Sequence, residues 1–137
     1  MVSRNPIAGR QGRWLTAIVL YSLAGCSPEA SWTSVGTFVE GRAHHSATLL
    51  ENDQVLFVGG RDTTFRTSAE LHDTLTGRAS LAPSMMIPRA DHAATRLDDG
   101  RVLISGGTNS DGALASVEMY EPTAQQVSMI SPMHEKR

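Results

Sequence analysis

The stretch VLFVGG at residues 55–60 returns as VLISGG at residues 102–107, an offset of 47. A short apolar run closed by two glycines reads as a buried strand ending in a sharp turn. Written twice at a fixed spacing, it predicts a repeated unit of supersecondary structure. Working outward supports that reading. Residues 42–60, RAHHSATLLENDQVLFVGG, align without a gap on residues 89–107, RADHAATRLDDGRVLISGG, and ten of the nineteen positions are identical. Arg42 matches Arg89, His45 matches His92, and Gly59 and Gly60 match Gly106 and Gly107. Beyond the glycines, SAELHD at 68–73 aligns on SVEMYE at 116–121, now at an offset of 48. The extra residue falls between RDTTFRT (61–67) and TNSDGALA (108–115). Insertions are tolerated in surface connections, so the slip agrees with the alignment. Met85 and Arg89 then match Met133 and Arg137, again 48 apart.

Each unit reads as four strands. The first covers 44–50 in one copy and 91–97 in the other. A turn follows, ENDQ or DDGR, and Asp99-Gly100 suits a tight hairpin because glycine takes positive φ without steric cost. The second strand is the repeated apolar phrase, and its unbroken hydrophobicity predicts burial on both faces. The third is SAELHD or SVEMYE, whose alternation sets Ala69 and Leu71, or Val117 and Met119, on one face. The fourth lies near 78–82 and 126–130. The stretch WTSVGTF at 32–38 resembles a fourth strand left from a preceding unit.

Composition narrows the possible functions. The chain has 137 residues, enough for one ordinary domain. Its 12 basic and 14 acidic residues leave no broad positive field of the kind nucleic acid needs. The charge is unevenly spread: residues 1–25 hold Arg4, Arg10 and Arg13 and no acid, so the remainder carries 9 basic against 14 acidic residues.

That uneven start is a targeting pattern and is set apart from the fold. Three arginines precede the apolar stretch Trp14–Leu23, which is too short to span a bilayer core as a helix, a task needing roughly 20 residues. It ends in LAGC at 23–26. This resembles the lipobox of bacterial lipoproteins, with cleavage between Gly25 and Cys26. The resemblance implies a signal peptide over 1–25 and a diacylglyceryl group on the Cys26 thiol. Ser27 after the cysteine implies the outer membrane in a Gram-negative envelope. Residues 26–34 then form a lipidated tether. Cys26 is the only cysteine, so no disulfide can form within one chain.

Four short antiparallel strands at a period of 47–48, the second closed by Gly-Gly, resemble a kelch repeat, whose period is about 50. The resemblance covers about residues 32–137. It rests on the glycine pairs, the Arg-x-x-His pairs at Arg42/His45 and Arg89/His92, and the Ser-x-Glu pairs ending in Glu70 and Glu118. The chain departs from the usual kelch pattern in having His72 where its second copy has Tyr120, and in lacking tryptophan in the fourth strands. The pattern is similar to the divergent repeats of bacterial envelope proteins and of the galactose oxidase propeller. The fold expected is all-β: two four-stranded antiparallel propeller blades, about 42–88 and 89–137, plus a leading strand, within a partial propeller over 35–137. Propellers close with typically 4–8 blades. The chain therefore reads as the amino-terminal part of a longer propeller or as a truncated product, with exposed blade faces able to self-associate.

No nucleophile elbow, phosphate loop or paired carboxylates stand at a plausible site, and no metal or other cofactor is expected. His45 and His92 repeat once per unit, which predicts hydrogen bonds between strands of their own blade in place of metal ligation. Arg42 with Glu70, and Arg89 with Glu118, read as buried ion pairs within or between blades. Asn109, Asp111 and Gly112 do not match an EF-hand spacing. The connections after the second strands share one end of the blades, and Arg61, Asp62, Arg66, Asn109 and Asp111 there are the candidate contacts for a protein or glycan ligand. The expected function is a non-catalytic binding or scaffold module. The alternative is the amino-terminal part of an oxidase similar to galactose oxidase, with its active site beyond residue 137.

Overall fold

The computed structural model describes residues 36–137, which form ten strands and no helix. The signal, cleavage and lipidation positions, Cys26 among them, and residues 32–35 of the leading stretch lie outside the described residues. The first sheet runs β1 (Ser46–Leu49), β2 (Gln54–Val58), β3 (Ala69–Asp73) and β4 (Ala79–Ala82) in sequential order, every pair antiparallel. The chain continues through β5 (Ala93–Arg96), β6 (Val102–Ser105), the short pair β7 (Thr108–Asn109) and β8 (Gly112–Ala113), then β9 (Val117–Glu121) and β10 (Gln126–Ile130). Strands β5, β6, β9 and β10 make the second antiparallel sheet, in the same order. The result is an all-β fold of two four-stranded antiparallel sheets, consistent with the expected propeller blades, and not a closed propeller.

Three sequence expectations need correction. The first strands begin two residues later than expected because His44 and Asp91 have φ of 57° and 55°, a left-handed conformation a strand cannot continue through. Gly36–Phe38 form no strand. They start the segment that leads into β1, as Pro83–Met85 start the segment that leads into β5. The repeated apolar strands are not equally buried on both sides. Leu56 and Val58 in β2, and Val102 and Ile104 in β6, are at most 1% exposed. Val55, Phe57, Leu103 and Ser105, which point the other way, are half-buried. Among the described residues, only one face of each sheet has a packed partner sheet.

Those faces differ between the two copies. In the first sheet Leu56 stands across from Thr48 and Leu71, and Val58 across from Ser46 and Ala69, so these share a face. In the second, Val102 stands across from Tyr120, and Ile104 across from Ala94 and Glu118. Leu50, Leu56, Val58, Ala69, Leu71 and Met85 join Val102, Ile104 and Tyr120 in one core. Each such aliphatic side chain contributes about 1.5–3 kcal/mol on burial. Leu56 aligns in sequence with Leu103, which points away from this core. The sheets therefore stack head to tail, opposite faces of the repeat meeting at the seam.

The glycine pairs explain the repeated phrase. Gly60 has φ of 90° and its N–H donates to Arg89 O at 2.8 Å. A Cβ on Gly59 would stand 2.6 Å from that same oxygen. In the second copy Gly107 N donates to Arg137 O at 2.8 Å, and a Cβ on Gly106 would stand 2.6 Å from it. At the end of the central strand, the chain leaving each sheet crosses so closely that no side chain fits beneath it.

Candidate functional site

All segments that cross between sheets, and both connections after the second strands, gather at one end of the structure. There each sheet builds the same buried ionic centre. Arg42 Nη2 donates to Glu70 Oε1 at 2.6 Å, and Arg89 Nη2 to Glu118 Oε1 at 2.8 Å; all four side chains have no exposure. Each arginine also donates to two carbonyls and a serine of the sheet it enters: Arg42 to Gly59 O, Ser68 O and Ser68 Oγ, Arg89 to Gly106 O, Ser116 O and Ser116 Oγ. Each glutamate closes the loop by accepting backbone N–H groups from the crossing segment. Glu70 takes Val39 N and Glu40 N, and Glu118 takes Met86 N and Ile87 N. Burial pushes the Glu70 carboxyl up, but these N–H donors and the Arg42 guanidinium outweigh it and hold the group below the usual carboxylate range. The hydrogen bonds of these residues go to backbone, to a serine and to each other, with only the Arg42 and Arg89 Nε–H groups left unpaired among the described residues, so the four side chains serve the fold.

The histidines lie elsewhere than expected. His92 bonds across the seam, its Nε2 sharing a 2.8 Å hydrogen bond with Ser46 Oγ of the first sheet, and not within its own sheet. Burial, with the Arg89 guanidinium nearby, pushes His92 down to about 4, so the ring is neutral near pH 7. His45 Nδ1 finds no hydrogen-bond partner among the described residues; the ring packs edge-on against Phe38 and Phe57, at centroid distances of 5.4 and 5.5 Å. The sequence reading missed a further cross-seam pair, His44 Nδ1 to Asp91 Oδ1 at 2.7 Å. The two residues are 47 apart, so each holds the same place in its unit, and the shared repeat position was the available signal.

The five candidate contact residues lie on the two connections and do not form one cluster. Arg61 is exposed, its guanidinium 5.7 Å from the Phe65 ring centroid. Asp62 accepts Thr64 N at 3.0 Å and pairs with Arg66, which also reaches Glu40 at 2.9 Å. The Thr64 N–H and the Arg66 guanidinium hold the Asp62 carboxyl down to about 2. Asn109 Oδ1 accepts Asp111 N at 2.9 Å, shaping the β7–β8 turn, and leaves the Asp111 side chain exposed. Arg61 and Asp111 are thus presented outward on ordered loops, while Asp62, Arg66 and Asn109 hold those loops in shape. Among the described residues, no group of three or more His, Cys, Asp or Glu side chains is placed to hold a metal ion.

At the opposite end of the sheets a cavity of about 480 Å³ opens between the strand turns, lined by Leu50, Glu51, Asp99, Arg101, Glu121 and Pro122. Its charges are largely neutralised locally, by Arg96 on Glu51 at 3.1 Å and Arg101 on Asp99 at 2.6 Å.

Comparison with known proteins agrees with this geometry. The family model described as Kelch motif matches residues 88–134, the second sheet with its entering segment. No curated protein matches the chain significantly.

Proposed function

We propose that this chain is a non-catalytic binding or scaffold module, held to a bacterial envelope by a lipid on Cys26 and contacting a protein or glycan through the connections at the ionic end of its sheets. A kelch motif supports a module built from propeller blades. The observation that carries the reading is the division of labour at that end. Arg42, Glu70, Arg89 and Glu118 are consumed by the framework, while Arg61 and Asp111 stand outward on loops ordered by Asp62, Arg66 and Asn109. Polar groups already ordered lose little entropy on binding, which favours recognition. LAGC after a short apolar stretch supports the anchor.

The test uses cells expressing the full chain. A fatty-acid analogue should label the wild type and not Cys26→Ala, and only the wild type should sediment with the envelope. Envelope proteins and glycans captured by the wild type should be lost with Arg61→Ala/Asp111→Ala. Equal labelling of both proteins would sink the anchor. Capture unaffected by the loop substitutions would sink the binding surface.

A further inference from the structure

The two sheets meet through different faces. The first contributes Leu56, Val58, Ala69 and Leu71, and the second Val102, Ile104 and Tyr120. At an offset of 47–48, the outer face of the second sheet, with Leu103, Ser105, Val117 and Met119, is the counterpart of the first of these surfaces. The outer face of the first sheet, with Val55, Phe57 and His72, is the counterpart of the second. The chain thus holds one assembled seam and both halves of another. We propose that those halves join between molecules, the outer face of the second sheet of one copy receiving the outer face of the first sheet of another.

The surfaces suit that union. Leu49 and Leu81 stand on the outer face of the first sheet at 58% and 65% exposure, and Ile130 on that of the second at 37%. Part of each face is already covered, Phe57 by Phe38 at 4.8 Å, and Val117 and Met119 at 5% and 8% exposure, and the apolar area that stays open favours association. The polar edge matches as well. Inside the chain His44 of the first sheet faces Asp91 of the second. In the joint between copies, the same positions set Asp91 of one against His44 of the next, again an acid against an imidazole. Because the two halves differ, the contact is heterologous, and it propagates until it closes. With two sheets per copy, two to four copies reach the roughly 4–8 sheets at which propellers close.

The joint has room for one crossing segment where two copies supply two. Residues 36–43 of the arriving copy take the place that residues 83–90 hold within the chain, and residues 133–137 of the receiving copy are their equivalent. Arg42 is wholly buried against Glu70. Arg137 is exposed, and its side chain makes no hydrogen bond or ion pair among the described residues. Residues 133–137 are held by backbone bonds, Met133 N to Ala115 O, Arg137 N to Leu114 O and Gly107 N to Arg137 O, which the arriving segment can replace, so they are the segment that moves aside.

Sedimentation equilibrium of the full chain in density-matched detergent tests the proposal. The protein mass should be that of two to four chains. Leu103→Arg, which alters only the outer face, should reduce it to one chain while leaving the circular dichroism unchanged. A second measurement does not depend on that variant. His44→Cys and Asp91→Cys proteins carrying tags of different size are mixed and oxidised. Linked pairs of unlike tag should exceed the background that either protein gives alone. A single-chain mass for the wild type, which would leave these faces to some other partner, overturns the proposal. So does open-ended aggregation indifferent to Leu103→Arg, or linkage no greater in the mixture than in the separate proteins.

Discussion

Arg89 joins two sheets through two different groups: its carbonyl accepts Gly60 N of the first sheet at 2.8 Å, and its guanidinium reaches Glu118 of the second at 2.8 Å. Glu118 in turn holds Met86 N and Ile87 N of the crossing segment. Removing either partner strands a buried charge, so Glu118→Ala and Arg89→Met should each cost about 3–5 kcal/mol. The double variant should cost clearly less than the sum, because both singles break one interaction. Urea unfolding of the four proteins measures the cycle; additive losses would show that the two residues act independently.

The close crossing at the glycines predicts a graded response to alanine. At Gly107 a Cβ would meet Ala90 O at 2.5 Å, and φ is 85°. Gly107→Ala adds a backbone clash to the cost of about 1–2 kcal/mol for a side chain in left-handed backbone, and should leave little folded protein. Gly112 has φ of 105° with nothing within 4 Å of the added atom, so Gly112→Ala should show the conformational cost alone. Gly41→Ala meets nothing within 4 Å and has no positive φ, and should be close to neutral. Thermal melts should rank the three in that order.

The strand plan was legible because it rests on local signals. The apolar run of β2 and β6, the alternation of β3 and β9, and the turn glycine at Gly100 each constrain backbone within a few residues. What could not be read depends on contacts between sheets. Ser46 meets His92 across a seam, and a single unit carries no trace of that seam. The face of β2 that is left half-buried depends on the number of neighbouring sheets, and not on the strand's composition. The Gly-Gly ending was visible, but its cause, a carbonyl from a segment some 30 residues downstream, lies outside any local window.

The repeat also exposes a mismatch at the first hairpin. Asp53 and Gly100 occupy equivalent turn positions, with φ of 58° and 84°. Asp53 makes no side-chain hydrogen bond among the described residues; its contribution is its carbonyl, which accepts Thr74 N and Thr74 Oγ1. Asp53→Gly keeps that carbonyl and relieves the left-handed strain, worth about 1–2 kcal/mol for a generic side chain and less for aspartate. The unfolded chain gains freedom in return. The net expectation is a stabilisation of up to about 1 kcal/mol, seen as a higher urea midpoint at unchanged slope. Gly100→Asp should shift the midpoint the other way.

His92 gives the seam a pH dependence. Its folded value of about 4 lies below the ordinary 6.5, chiefly because burial disfavours the charged ring and secondly because Arg89 repels it. Between those two values the unfolded chain binds the proton and the folded chain does not, so acid favours unfolding. The stabilisation from keeping His92 neutral is fully present above pH 6.5 and is lost as pH falls toward 4. Its ceiling is about 3 kcal/mol, at 1.36 kcal/mol per pH unit of displacement, and partial solvent access lowers it. Below pH 4 the titration of Glu70, held low by its N–H donors and Arg42, adds a separate loss. His92→Gln retains a group able to bond Ser46 Oγ but cannot titrate. Urea midpoints for wild type and His92→Gln should therefore lie close together near pH 7 and separate toward pH 4.5, where the wild type, carrying the steeper slope, falls below the variant. Parallel profiles across that window would show that His92 keeps its ordinary affinity for protons in the folded protein.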